Sequence, residues 1–376
     1  MANQDEARLH YPLGDQLPAP GTSIEVAPGV KWVRLPLPFA LDHINVWLLR
    51  DHMEIDGQRR EGWTIVDCGV AKPALQEQWQ QVFKNELQGL PVLRVLVTHM
   101  HPDHIGLADW ICQQWTTPEH ACRLWISATD FGMASLGTHG GTGFGGDEAA
   151  EFFRTHGLVE PEQLGGMHER RDYYSSLVPS VPSSYRRLHD GQSVRIGDHD
   201  WECIVGFGHA PEHIALSQPG LGVLISGDMV LPRISTNVSV FNSEPESNPL
   251  QLFLDSLERY LPLRADTLVL PSHGKPFGAA PQDPFEHGLH ERIRQLKSHH
   301  SDRLAEVVEA CQAKPCCGMD IVPIMFKRPL NLHQISFALG EAIAHLHALW
   351  YAGVLHRTRD AQGIWRFHAD AISDSV

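Results

Sequence analysis

At 376 residues, 42% hydrophobic and 20% charged, the chain is long enough for a sizeable core and two domains, with the composition of an ordinary globular protein. Its formal net charge of −15 argues against a surface that grips phosphate backbones, and no run of about eighteen apolar residues offers a membrane span. Seven scattered cysteines without a C-x-x-C pair leave no cysteine-based zinc knuckle and point to a reducing compartment.

Residues 1–22 are rich in proline and polar side chains and read as a surface arm. The opening Met1–Arg8 has no charged stretch leading into an apolar one, so no signal peptide is expected and the protein is expected in the cytoplasm. Short strands are expected at 24–26 and 30–35 and a stronger one at 45–50. A charged loop, Asp51 to Gly62, joins the last of these to a strand over 63–69. A helix over 73–87 follows, then an apolar, β-branched strand at 92–97. Directly after it comes Thr98-His99-Met100-His101-Pro102-Asp103-His104, and then a helix over 105–114. The chemistry thus falls at the carboxyl end of a strand, where layered α/β proteins place their sites.

A further strand is expected at 124–126, and residues 128–185 then change texture. Glycines crowd 136–146, while 148–154 and 161–177 read as helices, so the stretch resembles a helical insertion. Gly141–Gly146 matches G-x-G-x-x-G but follows no convincing strand, and a loop is the better reading than a nucleotide site. This loop and residues 148–178 form a candidate lid over the site, with Tyr173 and Tyr174 as candidate substrate contacts beside the plainer reading of core packing. A turn at 189–192 separates strands at 185–188 and 193–196. Strands at 200–205, 223–228 and 267–270 lead to His209, Asp228 and His273, with a helix over 252–260. From residue 284 the chain reads as helices over 286–300, 302–313 and 332–353, then a hairpin of 355–358 and 364–367. Three helices and a hairpin outline a winged helix. The third helix has no Lys or Arg over 333–350, which favours packing against protein over reading nucleic acid.

Four strand ends therefore carry metal-capable side chains: the cluster His99, His101, Asp103 and His104, then His209, Asp228 and His273. A lone H-x-H is a common surface coincidence; four such strand ends in succession are not. Five histidines and two carboxylates suit two borderline divalent ions such as zinc, with iron or manganese as alternatives.

The pattern H-x-H-x-D-H at 99–104, followed by G-H-x-P-x-H at 208–213, S-G-D at 226–228 and S-H-G at 272–274, resembles the metallo-β-lactamase-fold hydrolases across residues 24–280. The resemblance implies an α/β fold, an αββα sandwich of two face-to-face sheets with helices outside, in a domain over 23–283. The outline of helices and hairpin after it adds a winged-helix-like α domain over 284–376. On the same resemblance His99, His101 and His209 hold a first metal ion, Asp103, His104 and His273 a second, and Asp228 bridges both. Asp103 and Asp228 are then the carboxylates of the catalytic centre, and Asp67 supports the ligands from behind, beside its plainer reading as a turn residue. His213 matches a histidine outside the usual ligand set.

Two such ions share a water whose pKa falls from about 15.7 toward 7, so that hydroxide attacks an electrophilic carbonyl or phosphorus at neutral pH. No Ser or Cys nucleophile is needed, and no G-x-S-x-G elbow occurs. The motif set matches best the hydroxyacylglutathione hydrolases (glyoxalase II), the acyl-homoserine lactonases and lactamase-B-like proteins with an added winged helix. The expected function is hydrolysis of a small ester, thioester or lactone. The alternative is a metal-dependent endoribonuclease, which needs a basic path to the metals that an acidic chain does not suggest. A mononuclear-iron persulfide dioxygenase shares much of the first motif and is a third option. The expected partners are a small acyl substrate and, through the apolar C-terminal helix, a second copy of the chain, with neither nucleic acid nor membrane.

Overall fold

A computed structural model describes residues 5–140, 144–278 and 287–369, which fall into two compact units. The first comprises Met1–His139, Tyr174–Thr236 and Ser256–Ile293; the second comprises Gly140–Tyr173, Asn237–Asp255 and Arg294–Val376. The stretch 128–185, expected as one insertion, is thereby divided, 128–139 and 174–185 belonging to the sheet-bearing unit and 140–173 to the other. Residues 141–143 of the glycine-rich match lie outside the described residues.

The first unit is built on two sheets. Seven strands lie side by side in chain order: β1 (Ile24–Ala27), β2 (Val30–Pro36), β3 (His43–Ile55), β4 (Gln58–Val66), β5 (Val92–Leu96), β6 (Arg123–Ser127) and β7 (Tyr185–Leu188). They are antiparallel from β1 to β4 and parallel from β4 to β7. The second sheet contains β8 (Ser193–Ile196), β9 (His199–Gly206), β10 (His213–Gln218), β11 (Val223–Gly227) and β12 (Leu268–Pro271), antiparallel except for the β11–β12 pair. The turn at 189–192 is therefore where the chain leaves one sheet for the other.

Between the sheets, Trp32, Trp47, Val66, Leu96 and Trp125 meet Trp201, Val205, Ile214, Leu216 and Ile225. Each large apolar side chain so buried contributes about 1.5–3 kcal/mol of transfer free energy. Helix α1 (Pro73–Asn85) starts with proline at a position that needs no backbone N–H and buries Leu75, Trp79 and Val82 at helical spacing. Short helices α2 (Pro102–Ile105) and α3 (Ala108–Trp115) replace the single expected helix, and α4 (Ala128–Gly137) follows β6 directly. The expected αββα sandwich is present.

Several local expectations are corrected. The charged loop 51–62 is mostly strand: β3 and β4 pair through Ile55 and Gln58, and the turn is only Asp56-Gly57, both at positive φ as a tight hairpin requires. Asp51 is buried on β3 and accepts Arg94 Nη2 of β5 at 2.8 Å. It also accepts the Gly197 N–H at 2.7 Å, between β8 and β9, while Arg94 Nη2 reaches the Arg195 carbonyl at 2.5 Å. Strand β10 lies in a stretch where the sequence pattern predicts no strand.

The second unit holds α5 (Asp147–Arg154) and α6 (Pro161–Glu169), with α7 (Pro249–Glu258) contributing residues up to Asp255. From Arg294 it continues along α8 (Leu289–Ala313), then α9 (Gly318–Met325), α10 (Leu332–Tyr351) and the antiparallel hairpin β13 (His356–Arg359) and β14 (Trp365–His368). The two helices expected over 286–313 are one, because no glycine or proline interrupts 289–313. Helix α9 is masked in the sequence by Gly318 and Pro323, which read as breakers. Helix α10 buries thirteen of its twenty residues, as a packing helix does. No helix of the described residues is long and apolar enough to cross a membrane.

Candidate metal centre

Five strands of the first unit end on site residues. β4 leads to Asp67, β5 to the 98–104 loop, β9 to His209, β11 to Asp228 and β12 to His273. The seven side chains expected as ligands come together. Nε2 of His99, Nδ1 of His101 and Nε2 of His209 lie 2.9–3.1 Å from one another. Nε2 of His104 stands 3.7 Å from Asp103 Oδ2, and Nε2 of His273 stands 3.4 Å from the same oxygen. Asp228 faces both trios: its Oδ2 is 3.3 Å from His209 Nε2, and its Oδ1 is 3.4 Å from His273 Nε2 and 3.6 Å from His104 Nε2.

These atoms fit a cation better than they fit each other. Three imidazole nitrogens directed at one point share too few protons to hydrogen-bond in full. His104 Nε2 and Asp228 Oδ1 are buried and have no hydrogen-bond partner, a costly state that a metal ion relieves. The donor set is all imidazole and carboxylate, which suits zinc, iron or manganese. Burial and the neighbouring imidazoles hold His99 and His101 well below the usual histidine pKa, so their lone pairs are available. Burial pushes His104 down too, but the carboxylates of Asp103, Asp67 and Asp228 outweigh it and hold that group well above its usual value. His273 is raised by Asp228 and Asp103 against the same burial. Burial alone would raise Asp228; the imidazoles of His273 and His104 hold it well below the carboxylate range.

The ring orientations are set from behind. Asp67, buried and at φ 63°, accepts the Thr98 N–H at 2.8 Å and the His104 Nδ1–H at 2.9 Å, which leaves His104 Nε2 facing the site. His273 Nδ1 donates to the His43 carbonyl at 2.8 Å, and the His43 ring accepts the Gly274 N–H at 2.8 Å. His213 accepts the Asp228 N–H at 3.2 Å. Tyr174 takes the plainer of its two readings, core packing: it is 1% exposed, and its hydroxyl donates to the Met100 carbonyl at 2.5 Å, between two histidines of the site. Tyr173, in the second unit, lies under the Arg170 guanidinium, 4.5 Å from ring centre to charge. Sequence reasoning missed His43 and Asp130 and gave His213 no task. Only His213 carried a signal, its place in G-H-x-P-x-H.

A family model of the metallo-beta-lactamase superfamily matches residues 41–273, and one described as metallo-beta-lactamase-like, C-terminal domain, matches 304–370. Among solved structures, a beta-lactamase domain protein from Burkholderia ambifaria is 52% identical, with 98% of this chain and 100% of that chain covered and a TM-score of 0.88. The metallo-beta-lactamase family protein TTHA1429 from Thermus thermophilus is 24% identical, over 92% of this chain and 100% of that one, with a TM-score of 0.70, a likeness of fold. A protein named probable metallo-hydrolase YqjP, from Bacillus subtilis (strain 168), is 27% identical over 329 residues, covering 84% of this chain and 91% of the relative. All seven converging side chains lie within the superfamily match, and the chain belongs to the metallo-beta-lactamase superfamily.

Proposed function

We propose that this protein is a hydrolase that uses two divalent metal ions, zinc foremost, to cleave a small ester, thioester or lactone. The observation that carries the reading is Asp228, whose two carboxylate oxygens face separate trios of ligand atoms while one of those oxygens is buried without a hydrogen bond. His99, His101 and His209 would hold one ion, Asp103, His104 and His273 the other, with Asp228 between them. When bound, the ions supply Lewis-acid polarisation of the substrate oxygen and a water acidified toward neutral pH. The chain's own groups do the positioning. Asp67 and the His43 carbonyl fix which nitrogen His104 and His273 present, and the burial of His104 and Asp228 keeps bulk water from competing.

A thiol nucleophile is not supported. All seven cysteines are buried and free, and burial pushes Cys203 and Cys311 up to about 12 and Cys317 up to about 11. Free buried thiols also fit a reducing, cytoplasmic setting. The net charge of −15 favours a small acyl substrate over RNA.

The test is turnover of an ester, acyl-thioester and lactone panel by zinc-loaded protein, with single-stranded RNA as the competing substrate. The expected result is hydrolysis in one acyl class, lost with a chelator and in His99→Ala. A fully loaded enzyme that leaves the whole panel intact, or cleaves only RNA, refutes the proposal.

A further inference from the structure

We infer that Asp130 is a positioning residue for the His99/His101/His209 trio: its carboxylate clamps the two loops that deliver these three imidazoles. The inference rests on the reading that the trio holds a metal ion. Asp130 is the third residue of α4 and is fully buried. Its Oδ1 accepts the Met100 N–H at 2.7 Å, and its Oδ2 accepts the Glu212 N–H at 2.7 Å. Met100 stands between His99 and His101, and Glu212 follows His209 by three residues. One carboxylate thus holds both loops.

The clamp works in both directions. Glu212 Oε2 accepts the Thr129 hydroxyl at 2.9 Å and lies 3.4 Å from the Thr129 N–H, in the first turn of α4, where a helix favours negative charge. The Tyr174 hydroxyl takes the Met100 carbonyl, so both backbone polar groups of that residue are tied. An aspartate at the third helical position can instead turn back on its own helix. Asp320 of α9 does so, accepting the Cys317 N–H at 2.9 Å. Asp130 points outward to the loops, and Ser127, which caps α4 through the Asp130 N–H at 3.3 Å, adds its hydroxyl to Oδ2 at 3.1 Å. Burial pushes the Asp130 carboxyl up to about 6 against these donors, which leaves it ionised at neutral pH, with charge-assisted bonds to both loops.

The experiment uses full-length protein loaded with zinc: wild type, Asp130→Asn and Ala134→Gly, a change in the same helix that touches none of the Asp130 hydrogen bonds. Asparagine keeps the shape but sets an NH2 group against one of the two backbone donors. Metal content and chelator competition are read for each protein, and the visible spectrum after cobalt substitution. Wild type is expected to hold two equivalents. In Asp130→Asn one site should weaken about 10- to 100-fold while the other stays within about threefold, with a matching change in one cobalt band. Ala134→Gly weakens α4 by about 1 kcal/mol while keeping every donor to Asp130, and should leave both affinities within about threefold. Wild type with fewer than two equivalents refutes the metal reading itself. Two equivalents in wild type and no change in Asp130→Asn, or equal losses in both variants, overturns the inference. If Asp130→Asn does not fold, hydrogen exchange on metal-free wild type decides. The Met100 and Glu212 amides should exchange as slowly as the amides inside α4, and fast exchange there overturns the clamp.

Discussion

Gly227, which ends β11 and precedes Asp228, offers a sharp test of how the site is packed. Its φ is +55°, and a Cβ placed there would meet Nε2 of His213 at 2.2 Å and Cε1 at 2.5 Å. His213 is fully buried and its Nε2 holds the Asp228 N–H, so the ring has no solvent to turn into. Gly227→Ala then carries two costs: about 1–2 kcal/mol for an alanine in left-handed backbone, and about 1–3 kcal/mol for the overlap. His213→Ala alone removes the ring and the acceptor of a buried N–H, a loss of about 3 kcal/mol or more. In the double variant the overlap is gone and only the backbone strain remains. The double variant should therefore be more stable than the sum of the single losses by about 1–3 kcal/mol. The assay is urea unfolding of metal-free protein by tryptophan fluorescence. Of ten tryptophans only Trp350 and Trp365 lie in the second unit, so the signal reports the first. Losses that add to within about 0.5 kcal/mol would refute the idea that the glycine admits the imidazole.

Two further outcomes concern buried charges. Glu341 on α10 is pushed up to about 7 by burial, although Asn237 donates to it at 3.0 Å. Its folded pKa lies above the unfolded value of 4.5, so folding favours the protonated form and stability declines as pH rises through that interval. Glu341→Gln should therefore stabilise the second unit by up to about 3 kcal/mol at pH 8 and by little at pH 4.5 in thermal unfolding; an equal gain at both pH values contradicts the assignment. Arg94→Met strands the Asp51 carboxylate, whose side chain has no exposure, and should cost about 3–5 kcal/mol by urea unfolding. A loss below about 1 kcal/mol would mean that water reaches Asp51.

The catalytic core was legible because two local rules coincide. β-branched runs announce β5, β11 and β12, and each run ends on a turn bearing an imidazole or carboxylate, so strand and ligand are read together. Asp67 is readable for the same reason. Features that depend on distant partners are not. Asp51 sits in a charged sequence and looks like loop, yet Arg94, forty-three positions away, buries it. Asp130 looks like an ordinary helix start, and its partners come from residues 100 and 212. Tyr174 invites a substrate role until Met100 is seen to hold its hydroxyl. Strand β10 is only six residues long and ends in Ser-Gln, and its burial in the second sheet is a property of its neighbours. In the C-terminal part α10 and the hairpin are readable, but the sequence splits α8 in two and hides α9 behind Gly318 and Pro323, and the grouping of 140–173 and 237–255 with these elements has no local signal.

The ion pair of Asp51 and Arg94 has a consequence for the metal-free protein. It lies where β3 has run away from His43, and it grips the connection that enters β9 at the end opposite His209. The two sheets are thus bolted together at one end by groups that belong permanently to the chain, while the ligand atoms cluster at the other. A domain nucleated by its metal loses its fold when the ion leaves. With that joint in place the sandwich is expected to keep its alignment without ions, so that ions would meet a cradle already ordered and spend little affinity on assembling it; loss of the near-ultraviolet circular dichroism on chelation would refute this.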